Sequence, residues 1–290
     1  MPKLKSILRT TVFDKLPPLL KMFIYYVVRF KRFPRVFKPE RFNDKIINRK
    51  LFDNNYLYSM CSDKVEVRKY IEKEIGSKYL IPLMCVLEKG TDIYNFPPLT
   101  NCAIKSNNGA GMVKVIDGTP LKDEQTKSLA KSLDEWLEAD FSKVSYEPHY
   151  KKIVPKILIE KSISIDGKSP IDYKFHCFKQ IDGEIEYVLQ VIFNRNRQDF
   201  HQQFYLNDLD NCIRNTGNST QMLSSRTKEV LKHAITLNNK LCQNFNYVRI
   251  DWYVVGSDLY FGELTFTSGS GVSLSFGDEL DKIMGQKWVL

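Results

Sequence analysis

The chain has 290 residues, 43% of them hydrophobic, and a mean hydropathy of −0.33, which is typical of a soluble globular protein and excludes a disordered one. Six scattered cysteines form no CxxC pair, so they predict reduced thiols in a cytoplasmic protein and not a zinc knuckle or a disulfide framework. The net charge of +9 is compatible with a nucleic acid or an anionic membrane as a binding partner. No nucleic-acid-binding motif accompanies the charge, so we do not expect a nucleic-acid partner.

Residues 1–60 are predicted to be basic and mainly helical. The apolar stretch from Met22 to Val28 is too short to span a bilayer, and no small-residue cleavage site of a signal peptide follows it. The favoured interpretation is a buried helix whose basic side is exposed. The alternative is a helix that lies on an anionic membrane surface, which would place the protein peripherally at the inner membrane face.

The remaining elements alternate between helical and extended patterns. Gly76 ends a predicted helix, Asn95–Pro98 marks a break, and Asp182-Gly183 predicts a hairpin turn. Strands outnumber helices in the C-terminal two thirds and look antiparallel, which predicts an α+β fold and not a doubly wound parallel sheet. The predicted helices cover 63–75, 121–139 and 224–242, and the predicted strands cover 81–87, 102–106, 112–116, 156–162, 172–178 and 184–193, followed by a closing hairpin.

That hairpin, Tyr247–Gly271, carries the most informative residues. Arg249 and Asp251 share one strand face, and a three-residue turn at Gly256–Asp258 would set Asp251 directly opposite Glu263. Opposed carboxylates repel each other, so removing either one should relieve strain. A bound Mg²⁺ with nucleotide phosphates would offset the repulsion and make the pair a metal-binding site. The alternatives are a solvated hairpin face, or a two-residue turn that shifts the register and separates the pair.

The segment IKSNNGAG, residues 104–111, predicts a phosphate-binding loop between two strands. Lys105 would supply a positive charge, and the glycines would let backbone N–H groups approach phosphate oxygens. The segment lacks the GK[ST] of a P-loop, and taken in isolation it is better explained as an ordinary hairpin turn at Asn108-Gly109. The candidate loop residues are Asn107, Asn108, Gly109, Ala110 and Gly111.

Two further strands place charged groups among apolar ones. Glu160 lies inside ILIEKSI and needs a partner, which could be a ribose hydroxyl or a salt bridge at the strand end. Lys174 and His176 share a face of DYKFHCF, where Lys174 could bind phosphate or a carboxylate and His176 lacks the neighbours of a metal ligand. No nucleophile or catalytic triad emerges. Such a set suits ATP chemistry, which depends on positioning and electrostatics.

Taken in order, these segments resemble the TupA-like (teichuronopeptide biosynthesis) branch of the ATP-grasp family. The resemblance covers about residues 35–290 and implies two α+β lobes that clasp ATP, preceded by the basic helical N-terminal region. It implies divisions at 1–60, 61–95 (an N-terminal α/β segment), 96–158 (a small lobe) and 159–290 (a C-terminal lobe). The matching segments are PERFNDKI, CSDKVEVRKYI, IKSNNGAG, IEK, DYKFHCF, YVRIDWY and FGELTFTSGSG.

The resemblance also implies roles for individual residues. Lys105 and the loop Asn107–Gly111 would bind ATP phosphates, and residues 158–161, with Ile159, Glu160 and Lys161, would contact adenine and ribose. Asp251 and Glu263 would bind Mg²⁺, and Arg249 and Lys174 would steady the transferred phosphate or the acceptor carboxylate. Many ATP-grasp ligases have asparagine two positions after the metal-binding glutamate, whereas this chain has Thr265, whose hydroxyl can still bind Mg²⁺ or its water.

The implied activity is ATP-dependent joining of a carboxylate to an amine through an acyl phosphate. The family name suggests an amino acid or amine joined to a uronic-acid unit of a capsule, O-antigen or exopolysaccharide, with a small or glycan-linked carboxylate as substrate. Three alternatives remain open: a sugar kinase on the same fold, a glycosyltransferase that would use the DxD-like Asp208-Leu209-Asp210, and a basic protein without catalytic activity.

Overall fold

Ten strands form two antiparallel sheets in the part of the chain that the computed structural model describes, which is residues 15–144, 146–164, 168–194, 199–218 and 220–290. The chain divides into two compact units. The helical unit contains the residues up to Asn54 together with Asp140–Lys151 and Thr267–Gln286. The sheet unit contains Asn55–Ala139, Lys152–Phe266 and Lys287–Leu290, and both sheets belong to it.

The smaller sheet has four strands in the order β1-β4-β2-β3. Helix α5 (Asp123–Glu138) contributes Leu129 and Leu133 to a core that also holds Ile104 and Ile159, because these side chains recur at helical and strand spacing and bury their apolar surface together. The strands are β1 (Leu83–Leu87), β2 (Cys102–Ser106), β3 (Val113–Ile116) and β4 (Ile157–Lys161).

The larger sheet has six strands in the order β10-β9-β5-β6-β7-β8. Its apolar face packs with helix α7 (Ser225–Leu241), which Ser224 caps by accepting a hydrogen bond from the backbone N–H of Thr227 at 3.1 Å. Two N-terminal helices of this unit, α3 (Leu57–Ser62) and α4 (Val67–Ile75), join the same core. The strands are β5 (Asp172–Lys179), β6 (Ile185–Phe193), β7 (His201–Leu206), β8 (Cys212–Asn215), β9 (Tyr247–Val255) and β10 (Asp258–Thr265).

The helical unit contains α1 (Pro18–Phe30), α2 (Phe42–Phe52), α6 (Phe141–Val144) and most of α8 (Gly277–Lys287). The buried Tyr26 hydroxyl donates a hydrogen bond to Asp44, which ties α1 to α2. Glycine is required at Gly285, because a Cβ atom there would stand 2.1 Å from the carbonyl oxygen of Glu40. None of the helices among the described residues is long and apolar enough to cross a bilayer.

The structure confirms the predicted α+β class and shows which elements the sequence patterns missed. The predicted helices and strands form close to the expected positions, and residues 15–60 are mainly helical as predicted. The sequence patterns predicted neither strands β7 and β8 nor helix α8. Because α8 follows the hairpin β9–β10, the hairpin is not the last element of the fold. Strand β1, which the predicted domain boundaries set apart from the small lobe, pairs along its length with β4. Those domain boundaries stay a prediction.

Candidate active site

A cavity of about 190 Å³ in the sheet unit gathers most of the residues that the sequence singled out. It is lined from β2 and β4 of the smaller sheet and from β5, β9 and β10 of the larger one. The predicted residues that line it are Lys105, Gly109, Ala110, Gly111, Glu160, Lys174, Asp251 and Glu263.

The two predicted metal-binding acids face each other on the hairpin β9–β10. Asp251 pairs with Glu263, although the turn is the two-residue one that was expected to separate them, since Asp258 pairs with Val255. A β-bulge at Gly262 adds one residue to β10 and restores the register. A Cβ atom on Gly262 would lie 3.1 Å from the Asp251 carbonyl oxygen, so glycine suits this close approach. The predicted pairing is therefore correct and the predicted three-residue turn is wrong.

Protein cations already compensate the two acids. The Arg249 guanidinium donates to Asp251 from Nε at 2.7 Å and from Nη2 at 2.8 Å, and Nη2 also donates to Glu263 at 2.5 Å. Lys174 donates to the second oxygen of Asp251 and lies 3.5 Å from Asp172. The expectation of two uncompensated, repelling carboxylates is wrong, because a guanidinium bridges them.

Burial and the neighbouring charges shift the pKa values of Asp251 and Arg249. Burial acts to raise the pKa of Asp251, but Arg249 and Lys174 lower it more, so the pKa falls below its ordinary value of 3.8. Burial acts to lower the pKa of Arg249, and the neighbouring Asp251 and Glu263 raise it well above its ordinary value. The ionised form of both groups is therefore favoured. Arg249 does not itself line the cavity, and its predicted contact with the transferred phosphate or the acceptor carboxylate stays a prediction.

The oxygen donors at this position fit a hard divalent cation. No group of three or more histidine, cysteine, aspartate or glutamate side chains among the described residues could hold a metal unaided. Mg²⁺, however, is usually held by one or two carboxylates together with phosphate oxygens and water. Asp251 and Glu263 supply the carboxylates, and the Thr265 hydroxyl lies 3.2 Å from Glu263 Oε1. The donor set fits Mg²⁺ bound together with a nucleotide.

On the opposite side of the cavity, Glu160 holds two cations. Its Oε2 accepts from Lys105 Nζ at 2.8 Å, and its Oε1 accepts from Arg68 Nη1 at 2.9 Å. Arg68 also donates to the Ile81 carbonyl at 2.9 Å. The salt bridge that was the alternative for Glu160 is therefore present. It also sets the Lys105 ammonium against the cavity, with its side chain 23% exposed.

The predicted phosphate loop is held from behind by its own asparagines. Asn107 is fully buried and donates to Asp63 and to the Val154 carbonyl, both at 3.0 Å, while its oxygen accepts from the Lys156 N–H at 2.8 Å. The Asn108 side chain accepts from the Ser106 hydroxyl at 2.6 Å. These two asparagines shape the loop and do not line the cavity, whereas residues 109–111 do.

Lys64, for which the sequence predicted no role, also holds the predicted phosphate loop by hydrogen bonds. Its ammonium donates to the Gly109 carbonyl at 2.6 Å, and its N–H donates to the Asn107 carbonyl at 3.2 Å. Burial lowers its pKa. The signal that could have found it is its spacing from Arg68 within the predicted helix 63–75, since residues four apart share a helix face. In the structure Lys64 lies in the turn before α4, and both residues line the cavity.

The three predicted nucleotide contacts on β4 separate in the structure. Glu160 lines the cavity, Ile159 belongs to the buried core, and Lys161 is exposed. Strand β4 lies between β1 and β2, so its backbone groups are used by the sheet on both edges. The predicted contact of residues 158–161 with adenine and ribose stays a prediction.

His176 lies away from the cavity as a fully buried, hydrogen-bonded residue of β5. Its Nδ1 lies 3.0 Å from the Tyr247 hydroxyl and its Nε2 lies 3.1 Å from the Gln190 side-chain oxygen. Burial and the nearby Arg249 lower its pKa from 6.5 to about 3, so the ring is neutral at physiological pH. Its role in the described structure is a polar contact within the sheet.

The cavity thus combines a lysine, a glycine loop and opposed acids on two antiparallel sheets of an α+β protein. A sequence model of the TupA-like ATPgrasp family matches residues 44–289, and the chain belongs to this family. The membership confirms the predicted family and fold. No curated protein matches the sequence.

Several solved D-alanine–D-alanine ligases are similar in structure. The Helicobacter pylori enzyme has a TM-score of 0.48 at 15% identity, over 80% of this chain and 62% of that chain. A Bacillus anthracis enzyme has a TM-score of 0.43 at 17% identity, over 80% of this chain and 66% of that chain. A Bacillus anthracis enzyme in complex with ATP has a TM-score of 0.39 at 15% identity, over 73% of this chain and 56% of that chain. This chain spans less than two thirds of the length of each ligase, and the family assignment rests on the sequence match.

Proposed function

We propose that this protein is an ATP-dependent carboxylate–amine ligase. The observation that carries the proposal is the convergence of Lys105, residues 109–111, Asp251 and Glu263 on one cavity of the sheet unit. These groups come from distant parts of the chain, and together they match what a polyphosphate with its metal requires. Family membership supports the use of ATP.

In the proposed reaction an oxygen of the acceptor carboxylate attacks the γ-phosphorus of ATP, and the bond to the β-phosphate oxygen breaks to release ADP. The amine then attacks the acyl phosphate, loses a proton and expels phosphate, which leaves an amide. The first step brings two anions together and the second expels phosphate as an anion, so both depend on fixed positive charge. The cavity supplies it through Lys64, Arg68, Lys105 and Lys174.

The metal would be held by Asp251 and Glu263, with Thr265 bound directly or through water. When bound, Mg²⁺ supplies neutralisation of charge on the transferring phosphoryl group. Arg249 would hold the two carboxylates in place, because it donates to both of them. Lys174 is the cation that would reach the transferred phosphate or the acceptor carboxylate.

We further propose an amino acid or amine as one substrate and a uronic-acid unit of a surface polysaccharide as the other, on the strength of the family resemblance alone. A cytoplasmic location would supply ATP and keep the six free cysteines reduced. The alternative of a glycosyltransferase gains nothing from Asp208-Leu209-Asp210. Asp208 accepts hydrogen bonds from three following backbone N–H groups, and Asp210 forms an ion pair with Lys228 of α7, so both acids already have partners within the protein.

The test is a nucleotide-release assay against a panel of uronic acids and amino acids. A ligase releases ADP and phosphate only when a carboxylate and an amine are both present. Stable transfer of labelled phosphate to a single acceptor would instead identify a kinase. Failure of every pair, together with no binding of ATP in the presence of Mg²⁺, would reject the proposed function.

A further inference from the structure

The first helix of the helical unit is apolar on two opposite sides. Met22 and Tyr26 face the core and are buried. Leu20, Ile24 and Val28 follow one another at four-residue spacing on the other side, where Leu20 is 45% and Val28 is 57% exposed. A helix that packs on one side only normally carries polar residues on its outer side. The outer stripe of α1 therefore lacks the polar character that water favours.

The loop that follows, Lys31–Arg41, adds exposed aromatic rings between basic residues. Phe33 is 76% exposed and Phe37 is 84% exposed, and Lys31 and Lys38 are exposed beside them. Residues 15–45 contain nine lysines and arginines and only two acids, so most of the chain's excess positive charge is concentrated here. Apolar and basic groups thus occupy the same short stretch of surface.

Behind these rings the same loop borders a cavity of about 590 Å³ with basic walls. Arg32, Arg35 and Arg41 line it from the loop, and Lys45 and Lys282 line it from α2 and α8. Four of these cations form ion pairs: Arg32 with Asp44 at 3.0 Å, Arg35 with Glu40 at 2.8 Å, and Arg41 and Lys282 with Asp278 at 2.5 and 2.7 Å. The residues that line the cavity still comprise five cations and two acids. The aromatic rings of the loop therefore face water, whereas its arginines line the cavity.

We propose that the helical unit docks on a membrane surface that carries anionic phospholipids. The outer stripe of α1 with Phe33 and Phe37 would enter the interfacial region, and the exposed Lys31 and Lys38 would meet lipid phosphates. Stable attachment to a membrane needs two signals, and apolar insertion combined with a basic patch is one such combination. The charge selects this occupant, because a second copy would bring a like-charged surface and nucleic acid would not use the aliphatic stripe. The proposal goes beyond the ligase activity and does not depend on it.

The experiment is flotation of the full-length protein with vesicles of phosphatidylcholine alone or mixed with phosphatidylglycerol. We expect binding to the mixed vesicles only, and weaker binding at high salt because salt screens the basic surface. Lys31→Gln with Lys38→Gln should lower the partition coefficient about 30-fold, since each basic residue near the surface contributes about fivefold. Phe33→Ser with Phe37→Ser should also release the protein. Matched controls elsewhere, Lys127→Gln with Lys131→Gln and the 92%-exposed Ile181→Ser, should bind like the parent.

Three outcomes would overturn the proposal. The first is the absence of binding to the mixed vesicles, or equal binding to neutral ones. The second is an equal loss of binding in the control variants. The third is self-association that rises with protein concentration and disappears in the double phenylalanine variant, which would assign the surface to a second copy. Circular dichroism of each variant establishes that the fold is retained, and nucleotide release is measured separately because it tests the ligase proposal alone.

Discussion

Replacement of Asp251 by asparagine should destabilise the protein as well as inactivate it. The Asp251 side chain is 3% exposed and accepts from Arg249 at 2.7 and 2.8 Å and from Lys174. Asparagine keeps one acceptor and carries no charge, so two buried cations lose their main partner. Breaking a buried ion pair from one side costs about 3 kcal/mol or more. The sequence alone predicted the opposite, a relief of repulsion between acids.

Glu263→Gln is the matched variant, because the two acids differ in burial and not in proposed role. The Glu263 side chain is 36% exposed and contacts Arg249 through one oxygen. Solvent screens such a pair, so its loss should cost about 1 kcal/mol or less. Both variants remove a proposed metal ligand, and both should reduce turnover by about 100-fold or more because stabilisation of the transferring phosphoryl group is lost.

The measurement is urea unfolding without nucleotide or metal, alongside ADP release at saturating substrates. A second variant, Asp251→Asn with Lys174→Gln, removes one of the abandoned cations and should recover part of the lost stability. If Asp251→Asn unfolds at the same urea concentration as the parent, the buried ion network does not stabilise the fold as the distances imply. If Glu263→Gln retains full turnover, its role as a metal ligand is refuted.

Three further predictions rest on single groups. Lys105→Ala should weaken ATP binding about 10- to 100-fold in calorimetry, since a charged hydrogen bond is lost, while Lys114→Ala on the exposed part of β3 should not; equal affinities would remove Lys105 from the site. Burial lowers the pKa of Lys50 from 10.5 to about 8, so the unfolded chain binds more protons between these values and stability rises with pH there. Lys50→Met should abolish that rise, and the gap between parent and variant should change by about 2 kcal/mol between pH 7 and 10 in urea titrations. Burial likewise lowers the pKa of His176 from 6.5 to about 3, so its contribution is present above pH 6.5 and is lost as pH falls toward 3. His176→Gln should therefore flatten the acid side of the stability profile by about 2 kcal/mol between pH 6.5 and 5, and an unchanged slope would contradict a buried neutral ring.

The regular elements were predictable where periodicity is strong. Helix α7 and strand β2 lie within one residue of their predicted ends, because apolar spacing and a capping serine are local properties of the chain. Strands β7 and β8 had no such signal. His201–Leu206 mixes histidine and glutamine with tyrosine and phenylalanine, and its polar members are accommodated only through pairing with β6 and β8.

The candidate site was only partly predictable. Lys105, Glu160, Asp251 and Glu263 could be chosen because each is a charged group within an extended apolar context. Their partners could not, since Arg68 reaches Glu160 across 92 residues and Lys174 reaches Asp251 across 77. The bulge at Gly262 set the pairing register of β9 and β10. A single glycine within a strand does not by itself show that a bulge will form or which residues it will bring opposite each other.

What the amino-acid sequence determined by itself was the family, the α+β class and the types of group that carry the chemistry, because these follow from local pattern and side-chain identity. Only the tertiary structure decided how those groups are used. In the folded protein one guanidinium, that of Arg249, donates to the opposed acids. Asn107, a candidate ligand-binding residue, is buried and hydrogen-bonded to Asp63, and Lys64 donates a hydrogen bond that holds the loop. The physical reason is that a charge buried in a fold must find its counterpart in space, and the sequence order does not record which counterpart that is.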